Sequence, residues 1–256
     1  MQWLGASIAC LSILLCGCQQ LVNYSMLPRE GIRPAEYSVR VERDIVMTTT
    51  DEVALVANIY HPQTDQPAPT ILVRIPFTKT FKNDLGANAM ASFWASRGYT
   101  VVVQGTRGRY KSGGTYYPMR HERQDGIETL RWLSKQPWFD GRLGMWGGSA
   151  FGYTQWVLAD QKYPGPNALA IQIASTDFHG MFYPGGAFSL ESALFWAVRS
   201  RGAEDEDPSF KFLQKGFDGF PLIEADDRAV RDIGFFNDWV SHKEADAYWK
   251  ELDGEN

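Results

Sequence analysis

The sequence predicts an α/β fold: a doubly wound, mostly parallel sheet with helices on both faces. Three observations predict it. Strand-like and helix-like segments alternate from about residue 70 to residue 175, which is the pattern of a parallel sheet wound with helices. The segments "TILVRI" and "YTVVVQ" are solid apolar runs, as strands buried on both faces are. The stretch "RLGMWGGSAFGY" passes from an apolar run through Gly147-Gly148-Ser149 directly into a helical pattern.

Taken in order, "YSVRVERDIVMTT" and "VALVANIYH" are β-rich runs around the turn-like Thr50-Asp51-Glu52, which predicts a hairpin. Pro62 to Pro69 is a polar loop, and "TILVRI" (70–75) is a buried strand that stops at Pro76. Residues 88–98 suit a helix ending at Gly98, followed by the strand "YTVVVQ" (99–104). Asp125 to Lys135 reads as a helix with Ile127, Leu130 and Leu133 on its inner stripe. "RLGMWG" is the next strand, Ala150 to Ala159 a helix, and "ALAIQIAS" (168–175) a further strand. After residue 180 the alternation stops. A helix over Ser189–Arg199 and two acidic, aromatic-rich stretches read as a helical insertion.

With 256 residues, 44% of them hydrophobic, the chain is long enough for one large core. A net charge of −5 and the lack of any basic run argue against a nucleic-acid partner. The first 20 residues carry no charged side chain, and the apolar run from Leu4 to Cys16 has signal-peptide length rather than the roughly 20 residues of a membrane span. The run ends in Leu15-Cys16-Gly17-Cys18, which resembles the bacterial lipobox. That resemblance implies cleavage before Cys18, lipid attachment at Cys18, and anchorage to a bacterial envelope membrane on its extracytoplasmic side. Residues 1–17 are then a lipoprotein signal peptide, 18–36 a tether, 37–180 the N-terminal part of the α/β domain and 181–256 an incomplete helical cap. The three cysteines all lie in the first 18 residues, so no disulfide framework or cysteine metal site is expected, and no cofactor or metal is implied.

In an open parallel sheet, ligands bind beyond the carboxyl ends of the strands, and Ser149 falls at such an end. Two glycines before it permit a tight, strained turn, and the helix start faces whatever negative charge develops there. By local sequence Ser149 is either a nucleophile or a helix N-cap, which this position also favours.

Five segments carry a resemblance to the cocaine esterase and X-Pro dipeptidyl-peptidase-like hydrolases, a branch of the α/β-hydrolase superfamily. They are "ANIYHP", "LVRIPFTKT", "VVVQGTRGRYKSGGTYYP", "DGIETLRWLSKQPWFDGRLGMWGGSAFGYTQW" and "YPGGAFSLESALFW". The match runs from about Val39 to Leu252. The resemblance implies that Ser149 attacks an ester or amide carbonyl and that the backbone N–H of Ala150 donates one oxyanion hydrogen bond. The family's second donor is a tyrosine hydroxyl at the position of Phe77, where the hydroxyl is lost; the neighbouring Thr78 carries one. Gly105 replaces an aspartate, Arg107 reads as an organiser of the site loops, and His61 stands where the family has arginine.

Such chemistry needs a histidine base and an acid, which in this superfamily follow the nucleophile on loops after two further strands. Neither is found, so the fold is expected to stop after the start of the cap. Of the four histidines, His61 reads as a surface residue, His121 opens the segment before the 125–135 helix, His179 follows Asp177 too closely for a relay, and His242 reads as structural. The leading reading is a lipid-anchored serine hydrolase of small ester, amide or peptide substrates, with the activity of these 256 residues by themselves and the oligomeric state left open. The alternative is a catalytically inactive lipoprotein that binds a ligand or partner with a relic hydrolase fold. A peptidase acting after proline would need an anionic pocket, for which Glu191 and the Glu204–Asp207 run are candidates. Trp146, Phe178, Tyr183, Phe188, Phe195 and Trp196 are candidates for an apolar acyl pocket.

Overall fold

The computed structural model describes residues 31–77, 81–201 and 210–253. The leader with Cys18, Thr78 and the Glu204–Asp207 run lie outside the described residues.

Six strands form one sheet in the order β1-β2-β4-β3-β5-β6. Strands β1 (Val39–Thr48) and β2 (Ala54–Pro62) make the expected antiparallel hairpin, with a bulge between Glu42 and Ile45. Strand β2 pairs antiparallel with β4 (Thr100–Gly105). Strands β4, β3 (Ala68–Ile75), β5 (Phe139–Gly148) and β6 (Ala168–Gln172) are mutually parallel. The hairpin therefore forms an antiparallel edge on a parallel sheet.

The solid apolar strands are covered on both sides. Ile71, Val73, Val101 and Val103 face a core with Ala91 and Ala95 of helix α1 (Phe81–Ala95). Leu72, Val102 and Ile59 face the other core, with Leu130 and Leu133 of α2 (Glu122–Leu133) and Val157 and Leu158 at the end of α3 (Ala150–Trp156). Successive side chains point to opposite faces, so one strand feeds two cores. Each such side chain contributes about 1.5–3 kcal/mol by leaving water.

Several predicted boundaries differ. Helix α1 begins at Phe81 and α2 at Glu122, earlier than the apolar stripes suggest. Helix α3 ends at Trp156 and continues as turns to Ala159. Strand β6 stops at Gln172 because Ile173 takes φ +50, which turns the chain out of the sheet and leaves Ile173 94% exposed.

Beyond β6 the chain is helical: α4 (Phe178–Phe182), α5 (Leu190–Ser200), α6 (Phe210–Phe217), α7 (Ala225–Ala229), α8 (Gly234–Ser241) and α9 (Ala247–Leu252). Their core is aromatic, with Phe182 stacked on Trp239 at 4.6 Å and Trp249 fully buried.

Candidate active site

Ser149 stands between β5 and α3 with φ 56 and ψ −129, a conformation that costs a non-glycine residue of order 1–3 kcal/mol and persists only where its surroundings impose it. The restraints are visible. The Ser149 N–H donates to Gln172 O of β6 (2.8 Å), and the Ser149 carbonyl accepts from Gly152 N and Tyr153 N. Gly147, at φ +141, makes the approach possible: a Cβ there would sit 2.4 Å from Phe151 Cβ. Ser149 accepts no side-chain capping bond from α3, so its hydroxyl is not spent as an N-cap.

The serine opens onto a cavity of about 370 Å³ at the carboxyl ends of the strands. Ala150 lines it as the first residue of α3, and its amide therefore has no acceptor within that helix. Phe178, Phe195 and Trp196 supply the apolar wall that the sequence suggested. Tyr183 and Phe188 instead pack on each other at 5.1 Å in the helical core, and Trp146 packs on the α1 side of the sheet. The segment after β3 also reaches the elbow, but differently from expectation. Pro76 lines the cavity, while the half-buried Phe77 ring sits 5.4 Å from the Phe151 ring. Phe77 is therefore seated on α3 beside the serine, rather than among the residues lining the cavity.

Among the lining residues that were not anticipated, one carries a carboxyl. Glu122, the first residue of α2, is 5% exposed, and burial pushes its carboxyl up to about 7 against the opposing pull of Arg74. Arg74, itself 1% exposed in β3, donates to Gln104 Oε1 (3.2 Å) and to the Glu122 backbone carbonyl (2.5 Å), so it fixes where α2 starts rather than pairing with the carboxylate. Glu191, proposed as the anionic residue, is exposed on α5 and does not line the cavity. The available signal was an acidic residue opening the helix after β4, at the sheet edge where ligands bind.

Arg107 performs the organising role assigned to it. It donates to Asp125 (2.7 and 3.1 Å) and to Asp51 (2.6 and 3.0 Å), tying the hairpin turn to α2. Gly105 has no space for a side chain: a Cβ would lie 2.5 Å from Arg109 O and 2.7 Å from Tyr110 Cβ.

None of the four histidines lines the cavity. His121 is the N-cap residue of α2. His179 stacks on Tyr183 and its Nε2 meets Lys243 O at 2.9 Å, while Asp177 caps α4 by accepting from Gly180 N. His242 stacks on Tyr248 at 4.2 Å and pairs with Asp246 through Nδ1 at 2.6 Å. His61 is a correction: it is 5% exposed rather than a surface residue, because Trp138 closes over it with ring centroids 5.5 Å apart. Among the described residues no group of three His, Cys, Asp or Glu side chains could hold a metal ion, and no helix is long and apolar enough to cross a membrane.

The fold agrees with the outcome of comparison with known proteins. Residues 51–255 match the X-Pro dipeptidyl-peptidase (S15 family) profile. The chain belongs to the S15 family. Over 164 residues it is 36% identical to cocaine esterase from Rhodococcus sp. (strain MB1 Bresler), which covers 62% of this chain and 28% of that protein. An aminopeptidase from the marine sediment archaeon Thaumarchaeota archaeon shares the fold at TM-score 0.62 and 23% identity, over 90% of this chain and 42% of the other. A CocE/NonD family hydrolase from Staphylococcus aureus does so at TM-score 0.55 and 21% identity, over 83% and 38%. The S15 chain described here thus spans less than a third of its curated relative and about two fifths of these solved chains.

Proposed function

We propose that the chain is the nucleophile-bearing part of a serine hydrolase of carboxylic esters or amides, working through an acyl-serine intermediate. The observation that carries this reading is the strained Ser149 at a strand-to-helix turn, open to a cavity and not spent as a helix cap. Family membership and the identity to cocaine esterase support the reaction class. The Ser149 Oγ attacks the acyl carbonyl, the Ala150 N–H stabilises the oxyanion, and the wall of Phe178, Phe195 and Trp196 holds an apolar acyl or leaving group.

The general base is not one of the four histidines, none of which lines the cavity with Ser149. Each histidine here is engaged elsewhere or away from the cavity, which supports that assignment. Hydrolysis of a panel of p-nitrophenyl esters and X-Pro p-nitroanilides, by the protein as its own cells make it, tests the reading and ranks ester against peptide. Loss of that turnover in Ser149→Ala is expected, and turnover indifferent to Ser149 would overturn it. The lack of a histidine at the cavity favours one other reading, a lipoprotein that binds a ligand in a relic site; it predicts no turnover in any context.

We further propose that the protein is held at an envelope membrane through Cys18. Cys18→Ser is expected to accumulate as unprocessed precursor or to appear in the soluble fraction. Normal processing with unchanged membrane partition would contradict the anchor.

A further inference from the structure

A second cavity, of about 440 Å³, lies at the opposite end of the sheet. Its floor is the end of β2 and the starts of β3 and β4, and Trp138, just before β5, forms one wall. The ten residues of β5 separate it from Ser149 by roughly 30 Å, so it is no extension of the candidate active site. Its volume is within the range of roughly 300–1,000 Å³ typical of small-ligand pockets.

Two features distinguish it from an ordinary surface hollow. The His61 side chain is 7% exposed, and its Nε2 is buried with no hydrogen-bond partner among the described residues. The nearest carboxylate, Glu42 Oε1, is 3.6 Å away and already bonded to Arg40. A buried polar atom left without a partner carries a free-energy cost that a bound ligand would remove. The cavity rim offers Arg40, Gln63, Asp65 and Gln66, and Trp138 stands edge-on to the His61 imidazole at 5.5 Å.

We propose that this cavity is a second binding site, for a neutral polyhydroxylated ligand of the size and chemistry of a mono- or disaccharide. Burial, and then the charge of Arg40, push the His61 pKa down, so the ring is a neutral imidazole with one donor and one acceptor. A hydroxyl, which both donates and accepts, matches either nitrogen. The two primary amides add donors and acceptors in equal number, and Arg40 is neutralised by Glu42, which leaves the exposed Asp65 as the remaining rim charge. An inorganic anion fits poorly, since the one guanidinium is already paired with Glu42 and the imidazole is uncharged. The indole supplies the apolar surface on which a sugar ring's C–H face packs.

The test is a titration of the full chain, ¹⁵N-labelled at histidine and tryptophan, with maltose and with N-acetylglucosamine. Saturable shifts of the His61 Nε2 and Trp138 indole signals are expected, with a Kd on the order of 1 mM. His61→Phe, which keeps the volume and removes the polar atom, should weaken binding about tenfold, and Gln63→Ala on the exposed loop about threefold, each the loss of one hydrogen bond. Ser149→Ala should leave this binding unchanged, which separates it from the active-site reading. The proposal is overturned if neither sugar gives a saturable shift. It is equally overturned if folded His61→Phe and Gln63→Ala bind as wild type does, or if inorganic phosphate alone binds and raises the His61 titration midpoint.

Discussion

Replacing Arg107 by methionine removes the cation that joins the β1–β2 turn to α2. The two carboxylates it holds are not equivalent. The Asp125 side chain is 1% exposed and bonded by Nε and Nη2, whereas the Asp51 side chain is 47% exposed. Breaking a buried pair by deleting one partner leaves an uncompensated buried charge and costs about 3–5 kcal/mol. Most of that belongs to Asp125, because water can solvate Asp51. Domains of this kind have total stabilities of roughly 5–15 kcal/mol, so the variant should lose about a fifth or more of its stability. Urea unfolding at pH 7, followed by tryptophan fluorescence, reads this directly. With a slope of about 1–3 kcal/mol per molar, the midpoint should fall by about 1 M or more. The double variant Arg107→Met/Asp125→Leu, which removes the stranded charge, should recover most of the loss. A loss below about 1 kcal/mol in Arg107→Met, or no recovery in the double variant, would refute the assignment of Asp125 as the buried partner.

Two further outcomes follow from the site. The Glu122 carboxyl titrates at about 7 in the fold against an ordinary value near 4.5, so the unfolded chain gives up its proton first as pH rises. Stability from this group is complete below about pH 4.5, falls by about 3 kcal/mol between pH 4.5 and 7, and is then level. Glu122→Gln should match wild type at pH 4.5 and exceed it by about that amount at pH 8 in urea melts; parallel pH profiles would show that Glu122 is not the buried acid. Phe77 packs on Phe151 outside the cavity lining, so Phe77→Tyr should leave ester turnover of the protein as its own cells make it within about threefold of wild type, far from the 10²–10³ that an oxyanion donor supplies. A rise of tenfold or more would show that a hydroxyl at this position reaches the oxyanion.

The fold was legible wherever burial is written in the local pattern. Solid runs such as 70–75 and 99–104 could only be strands covered on both faces, and the hairpin followed from alternation around Thr50-Asp51-Glu52. The place of Ser149 at a strand-to-helix turn was legible because Gly147 and Gly148 break the apolar run directly before a helical pattern, whereas its lack of a capping bond appears only in the fold. What escaped depends on partners distant in sequence. His61 is buried by Trp138, 77 positions later, and nothing near His61 announces that. Glu122 reaches the cavity because Arg74, from another strand, holds the first turn of α2 against the sheet. The seat of Phe77 is decided by Phe151, whose ring position depends on the turn at Ser149.

The most direct measurement on Ser149 is active-site labelling with a fluorophosphonate probe, read by mass spectrometry on the protein as its own cells make it. A single phosphonyl adduct on Ser149 is predicted, lost in Ser149→Ala, while the 256-residue chain by itself reacts no faster than that variant. An adduct on any other residue, or none under conditions that label serine hydrolases, would contradict the assignment of Ser149 as an activated nucleophile.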